Sequence, residues 1–358
     1  VKVLHFIYDH VENPWVAGGG AVRAREIYRR LAERHDITVV CGKYPGARDY
    51  EEGRLRFRFV GTDRDSYVLS TFCYALGASL YLMKHRRDAD VVVEDFAPYN
   101  PVFSPFLRSD AIVQVHHREG GNLLRRYYVL GLPFLLAEAF YPRLFRRSVC
   151  VSEASRRRFG LTGGAVISNG IDPSLLDVEP TGEDHVAYLG RLHIHNKGLD
   201  TLAGAMGRVD ERLALAGKGK DGARLKELFD RAGAGRKVEF LGHLEEGEKR
   251  RFLAGSKFFV LPSRYEGQGI VVIEAAALGK AVVVSDIPEL SFAVREGFGI
   301  SFRTGDAGDL ADKIGLLAGD GHLRQRLADR GRFYASRHTW DRAAAEFEDY
   351  LLESGGRR

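Results

Sequence analysis

The sequence predicts an α/β protein made of largely parallel sheets in two domains. Three observations carry this. A chain of 358 residues exceeds one ordinary core and suits two. Its candidate strands, such as 2–9 and 258–261, are apolar nearly throughout, as strands buried on both faces should be. These runs alternate with helical segments, and glycine-rich turns follow several of them.

In chain order, strand 2–9 leads through Pro14 and Trp15 to Gly18, Gly19 and Gly20, and then to a helix over about 21–34. Strand, glycine loop and helix open a Rossmann-like unit. The G-x-G-x-x-G spacing is missing and no acidic residue ends the next strand, 36–42, so nicotinamide binding is disfavoured. Further strands are expected at 54–60, 90–96, 111–117 and 148–151. Active-site residues of such a sheet belong at the carboxyl ends of its strands, where Glu94, Asp95, His116 and His117 fall. A strand-end imidazole such as His116 can bind a hydroxyl or accept a proton near neutral pH; the ordinary alternative is a satisfied core histidine. Asp63-Arg64-Asp65 reads as an acidic turn after a strand.

Residues 166–172 read as a strand running into the turn Asn169-Gly170-Ile171-Asp172-Pro173, and 179–184 is polar enough for a domain boundary. Strand 186–189 precedes Gly190-Arg191-Leu192 and Lys197-Gly198. Strand 213–216 precedes Gly217-Lys218-Gly219, which lacks the P-loop spacing, and strand 238–241 precedes Gly242. The stretch on which the rest is organised runs over 262–274. A strand there hands over to a helix through Glu266, Gly267, Gln268, Gly269 and Ile270, with Glu274 further along. Glycine lets the backbone turn sharply, so a ligand can approach amides at the positive end of the helix dipole. Two carboxylates beside an anion-binding turn would repel bare phosphate. They suit a molecule that carries phosphates between two sets of hydroxyls, as a nucleotide-sugar does. A surface carboxylate plus a helix-packing glutamate explains the isolated spacing equally well. Strand 281–285 follows, and the last helix is expected from Trp340 to about 352.

Glu266 and Glu274 match the E-x7-E signature of the GT-B retaining glycosyltransferases of family 4, which the chain resembles over nearly its whole length. The resemblance implies two Rossmann-like domains facing across a cleft. The acceptor domain would span 1–165 plus the C-terminal helix 340–358, and the donor domain 166–339. It implies that Arg191 and Lys197, the cations of G-R-L and K-G, grip the donor diphosphate, with Lys197 one residue further from Arg191 than in the commonest form. Glu274 would hold the ribose hydroxyls, Glu266 and the amides of Gly267, Gln268 and Gly269, with Ile270, the sugar and phosphates. Gly217 and Gly242 would line the nucleotide, and Gly18, Gly19 and Gly20 would approach the phosphates. His116 would face the transferred sugar as a catalytic residue beside Glu266, Arg191 and Lys197. Here His117 stands where the family often has aspartate, and Gln268 where it usually has phenylalanine, so the partner of His116 and the sugar stay open. The implied reaction is retaining transfer from a nucleoside-diphosphate sugar to a small-molecule, glycan or lipid-linked acceptor, with no metal and no cofactor. A nucleotide-sugar 2-epimerase or hydrolase, or a non-catalytic glycan- or membrane-binding protein, is the alternative.

Composition bounds the rest. The three cysteines, Cys41, Cys73 and Cys150, are odd in number and far apart, which suits reduced thiols rather than a disulfide framework or zinc site. The first strand carries no secretory pattern, so a cytoplasmic location is expected. Net charge is +5, yet residues 1–165 hold 25 Lys+Arg against 18 Asp+Glu, leaving 28 against 30 for the remainder. Arg125, Arg126, Arg143, Arg146 and Arg147 are interleaved with Tyr127, Tyr128, Phe134, Phe140, Tyr141 and Phe145, and 66–83 is an uncharged run ahead of Lys84. Two readings stay open for the basic-aromatic stretch: a surface that touches anionic lipid or a phosphorylated acceptor, or a solvated helical face with ordinary core aromatics. The uncharged run suits a buried or interfacial helix better than a membrane span. No nucleic-acid-binding module accompanies the charge.

Overall fold

The structure, a computed structural model, describes residues 1–16, 18–182 and 184–355, with side chains at all of these but 126, 127, 354 and 355. Ala17 of the first loop, Glu183 of the expected linker, 356–358 of the last segment, and the side chains of Arg126 and Tyr127 therefore lie outside the described residues. The chain divides into two compact units, Val1–Asn169 with Trp340–Arg358, and Gly170–Thr339.

The first unit contains β1 (Lys2–Ile7), α1 (Gly19–Leu31), β2 (Asp36–Gly42), β3 (Tyr50–Glu52), β4 (Leu55–Val60), α2 (Tyr67–His85), β5 (Val91–Asp95), α3 (Ser104–Leu107), β6 (Ile112–Val115), α4 (Asn122–Tyr127), α5 (Leu132–Phe140), β7 (Arg147–Cys150), α6 (Glu153–Phe159) and β8 (Ala165–Val166). Its eight strands run in the order β3-β4-β2-β1-β5-β6-β7-β8, parallel except for the β3–β4 pair. The central strands are Val- and Ile-rich and sheathed on both faces, which is why they carry no polar alternation. On one face α2 buries Tyr74, Ala78 and Leu82, a helical spacing, against Phe6, Val40 and Val92. The boundary falls a few residues beyond 165. Val166 pairs with β7, and the buried Arg23 of α1 donates to Ser168 O at 3.1 Å and Asn169 Oδ1 at 3.0 Å, so 166–169 stay with the first unit.

The second unit contains β9 (Val186–Leu189), α7 (Ile194–Lys197), α8 (Leu199–Met206), β10 (Leu213–Ala216), α9 (Gly222–Arg231), β11 (Val238–Gly242), α10 (Glu246–Ala254), β12 (Phe258–Leu261), α11 (Ile270–Ala277), β13 (Val282–Ser285), α12 (Ser291–Arg295), β14 (Gly299–Phe302), α13 (Ala307–Gly319) and α14 (Gly321–Ser336). Its six parallel strands run β11-β10-β9-β12-β13-β14. The order turns around β9, so the turns after β9, β10 and β12 gather at one end of the sheet, where open α/β sheets bind ligands. A continuous core of Val, Leu, Ala and Phe fills the space between strands and helices.

The final helix, α15 (Trp340–Gly355), returns to the first unit and lies along α1. Phe347 meets Tyr28 edge-on, and Glu348 accepts from His35 Nε2 and Arg34 Nη2, each at 2.6 Å.

Candidate functional site

In the second unit three turns at the carboxyl end of the sheet are laced by backbone bonds. Leu192 N donates to Lys218 O at 2.9 Å, Asp221 Oδ2 accepts from Ile194 N at 2.9 Å, and Arg264 N donates to Asn196 O at 2.9 Å. Glycine is required where the turns touch. A Cβ on Gly198 (φ 61°) would stand 2.0 Å from Pro262 O, and one on Gly217 (φ 138°) 1.9 Å from Gly190 O. Gly217 N donates to Gly242 O at 2.6 Å, which brings the third expected glycine into the same cluster. Arg264 clamps the last turn from below through Asp200 (2.7 and 2.9 Å), Thr201 and His195 O.

The candidate side chains are held by this lacework. Lys197 Nζ bonds Glu266 Oε1, which also accepts from Ser263 Oγ at 2.8 Å. The Tyr188 hydroxyl, buried under the first turn, donates to Arg191 O at 3.1 Å. Burial pushes Tyr188 well up, Glu266 pushes it further and Arg191 pulls it back, so both charges act on one hydroxyl. Lys197 and Glu266 are thus joined directly, and Arg191 lies in the neighbouring turn, held at its carbonyl by Tyr188. Gly269, at φ 72°, is the N-cap of α11, and Ile270 is its first residue. No side-chain hydrogen bond caps that end, so its first amides are not taken up by a capping side chain. Gln268 is buried beside it.

Glu274 sits one turn inside α11, and its partner is one that sequence reasoning missed. Lys249 of α10 donates to Glu274 Oε1 at 2.5 Å. Burial would lower the Lys249 ammonium, but Glu274 and then Glu246 outweigh it and raise its pKa. Both glutamates are therefore neutralised by lysines, whereas exposed Arg191 makes no ion pair among the described residues. Among those residues no group of three or more His, Cys, Asp or Glu is arranged to hold a metal.

In the first unit the strand-end residues form a second cluster. His116 Nε2 lies 2.6 Å from Asp95 Oδ1, and Asp95 Oδ2 accepts from Gln114 Nε2 at 3.1 Å and lies 3.5 Å from His5 Nε2. Burial would raise the Asp95 carboxyl, but His116 and His5 outweigh it and hold it well below the usual carboxylate range. Asp95 is thus the carboxylate partner of His116, while His117 turns to Glu119 at 3.7 Å. Gly18 caps α1, and Gly19 and Gly20 already form its first turn. A Cβ on Gly20 would stand 3.4 Å from His116 Nε2, so the glycine turn and the imidazole are neighbours. Gly18 N donates to Asp9 Oδ2 at 3.0 Å, which fixes the turn to the end of β1. Glu94 takes no part. It is buried and accepts from Val102 N, Ser104 and Tyr141, a bracket for the loop before α3. The signal for Asp95 was its place at the end of β5, beside β6; for Lys249, in a run of three cations, there was none.

Comparison with known proteins fits this geometry. The glycogen synthase of Mycobacterium tuberculosis is 33% identical over 211 residues, 56% of this chain and 51% of that protein. The chain spans about half the length of the curated relatives it matches. Among solved structures, sucrose-phosphate synthase from Thermosynechococcus elongatus superposes with a TM-score of 0.82 at 18% identity, covering 100% of both chains. Anabaena HepE, solved with UDP and glucose, gives 0.77 at 17% identity over 98% of this chain and 99% of that one. Two parallel-sheet α/β units in this order are the GT-B fold. With the Glycosyltransferase Family 4 model matching 17–175 and the Glycosyl transferases group 1 model matching 177–333, the chain belongs to the group 1, family 4 glycosyltransferases of GT-B fold.

Proposed function

We propose that this chain transfers a sugar from a nucleoside-diphosphate sugar to an acceptor hydroxyl, with retention at the anomeric carbon and without a metal ion. One observation carries the reading: Lys197 is bonded to Glu266 in the turn before the uncapped tip of α11, with Arg191 in the neighbouring turn, its carbonyl held by the buried Tyr188 hydroxyl. A departing nucleoside diphosphate gains charge as the glycosidic bond breaks, and these groups can neutralise it. Arg191 offers a planar fork, Lys197 a mobile point charge that can exchange Glu266 for phosphate. Glu266 is then free to accept from sugar hydroxyls. Glu274, held by Lys249, accepts from the ribose. The HepE structures with UDP and UDP-glucose favour uridine as the first base to try. His116, oriented by a carboxylate that stays ionised, is suited to the sugar or the acceptor. The acceptor is a hydroxyl compound of small-molecule, glycan or lipid-linked type.

Calorimetric titration with UDP, GDP and ADP tests the donor site. One diphosphate should bind without added metal, and Glu274→Ala should weaken it by about tenfold, the loss of a charge-assisted hydrogen bond. Failure of all three to bind would overturn the reading. A donor screen then separates reactions. Slow loss of donor to water supports transfer, whereas rapid turnover without acceptor would make the chain an epimerase or hydrolase.

A further inference from the structure

The first unit leaves a large apolar surface on the outer side of one helical layer. Along α2 the side chains Val68, Phe72, Leu76, Leu80 and Met83 are 75%, 77%, 63%, 51% and 47% exposed, opposite the face that packs on the sheet. The layer is continuous. Ser79 Oγ of α2 donates to Val102 O, Phe103 meets the ring of Tyr141 beyond α5, and Tyr99 meets Phe134 of α5. Phe103, Phe106, Leu132, Leu136, Phe140 and Leu144 extend the exposed surface across those elements. At its tip a single 3-10 turn, Tyr128–Gly131, presents Tyr128, Val129 and Leu130 at about 80% exposure each. Leu69 of α2 and Leu124 of α4 are exposed too; elsewhere, among the described residues, the large, apolar and exposed ones are Val1, Val22, Val294, Leu316, Phe333 and Leu352. An apolar surface of this extent marks an interaction site.

Charge selects its occupant. Residues 66–87 contain no Asp or Glu, and 120–152 contain one, Glu138, which is buried at 1%. Exposed Lys84, Arg86 and Arg87 stand at the end of α2, and exposed Arg125, Arg143 and Arg146 flank the tip and α5. Two copies of this face would bring like charges together around an isologous contact. An anionic bilayer offers an apolar interior beneath a negative surface, which matches both features. No helix among the described residues is long and apolar enough to cross a membrane, so the contact is one of lying on the surface. We infer that this layer docks on anionic lipid, with Tyr128, Val129 and Leu130 inserted below the headgroups and the arginines among the phosphates.

The layer is also tied to the His116 strand. Glu138 of α5 accepts from Glu119 N, Gly120 N and Arg118 Nε, holding the segment that leaves β6. A docked α5 therefore fixes the exit of the strand that carries His116.

Co-sedimentation of the full chain with vesicles tests this, using phosphatidylcholine alone and phosphatidylcholine mixed with phosphatidylglycerol. The protein should partition onto the anionic vesicles and, by about tenfold less, onto the neutral ones. The double variant Val129→Glu with Leu130→Glu, altered where nothing is buried, should lose anionic binding by at least about tenfold while its nucleotide titration is unchanged. Retained nucleotide binding keeps a failure here distinct from a failure of the donor site. No partitioning, equal partitioning onto both vesicles, or an unaffected double variant would overturn the inference. So would a dimer by light scattering that the double variant dissolves, since a second copy would then cover the face.

Discussion

At the level of single residues, the candidate donor cluster separates cations by what they hold before any ligand arrives. Lys197 and Lys249 each neutralise one of the two glutamates, whereas Arg191, which makes no ion pair among the described residues, is held at its carbonyl by the buried Tyr188 hydroxyl and His193 N. On the proposed function its guanidinium is therefore the group whose whole charge would be available to a leaving diphosphate. Arg191→Ala should lower kcat by about a hundredfold, the usual scale for one preorganised transition-state donor, with a smaller change in KM. Steady-state kinetics with the identified donor measures it, and equal loss in a ground-state titration would make Arg191 a simple binding residue. In the other unit the carboxyl of Asp95 is lower than in an unfolded chain, where it would lie near 3.9. Its ionised form therefore stabilises the fold in full above about pH 4, and that contribution is lost as pH falls through the depressed native value. Asp95→Asn should be less stable than the parent from about pH 5 to 8, and the gap should close below about pH 4; urea unfolding across a pH series checks this. The residues legible in sequence were those in contiguous motifs: Gly190-Arg191-Leu192, Lys197-Gly198 and the Glu266–Glu274 pair. Asp95 with His116, and Lys249 with Glu274, join through tertiary contacts between different elements, so no spacing along the chain announces them.

At the level of elements, the strands were legible because burial on both faces writes each as an apolar run bounded by turn residues. Strands β9, β10 and β12 fall where their runs do. The short antiparallel β3, exposed on an edge and reading Tyr50-Glu51-Glu52, carries no such signature. Strand β14 is hidden for a different reason, since in Gly299-Ile300-Ser301-Phe302 a glycine and a serine interrupt the apolar run that marks the four-residue strands β9, β10 and β12. The glycine turn before α1 was read as loop throughout, yet Gly19 and Gly20 form its first helical turn, because glycine can supply helical backbone as readily as loop. The turns themselves depend on glycine only where backbones meet. Gly198 is such a point: its left-handed φ joins α7 to α8 while its Cα faces Pro262 O. Gly198→Ala should cost about 1–3 kcal/mol from the backbone conformation alone, and more from the contact. It should also weaken nucleotide binding, because Lys197 is the neighbouring residue and Glu266 lies in the turn that must move. Denaturant unfolding and titration on the same variant test both. A variant of unchanged stability would mean that the two turns are not in the contact described.

For the whole molecule, the chain leaves the first unit at Asn169 and comes back to it at Trp340, so α15 is a late-synthesised part of an early-synthesised core. The second unit has its own continuous core, and the residues proposed to bind the donor, Arg191, Lys197, Glu266 and Glu274, all lie within that unit. Stability and ligand binding should therefore respond separately in the two units. Phe347, 1% exposed on α15 against Tyr28, belongs to the first. Phe347→Ala removes a buried ring and should destabilise that unit by about 3–5 kcal/mol. On the proposed function a nucleoside diphosphate would bind only the folded second unit, and at about a hundred times its Kd should stabilise it by about 2.7 kcal/mol. Calorimetric unfolding should thus resolve two events in Phe347→Ala, a lower one insensitive to UDP and a higher one that UDP raises. Should UDP raise both events together, the two cores would be melting as one cooperative body, and the assignment of the donor site to the second core alone would fail.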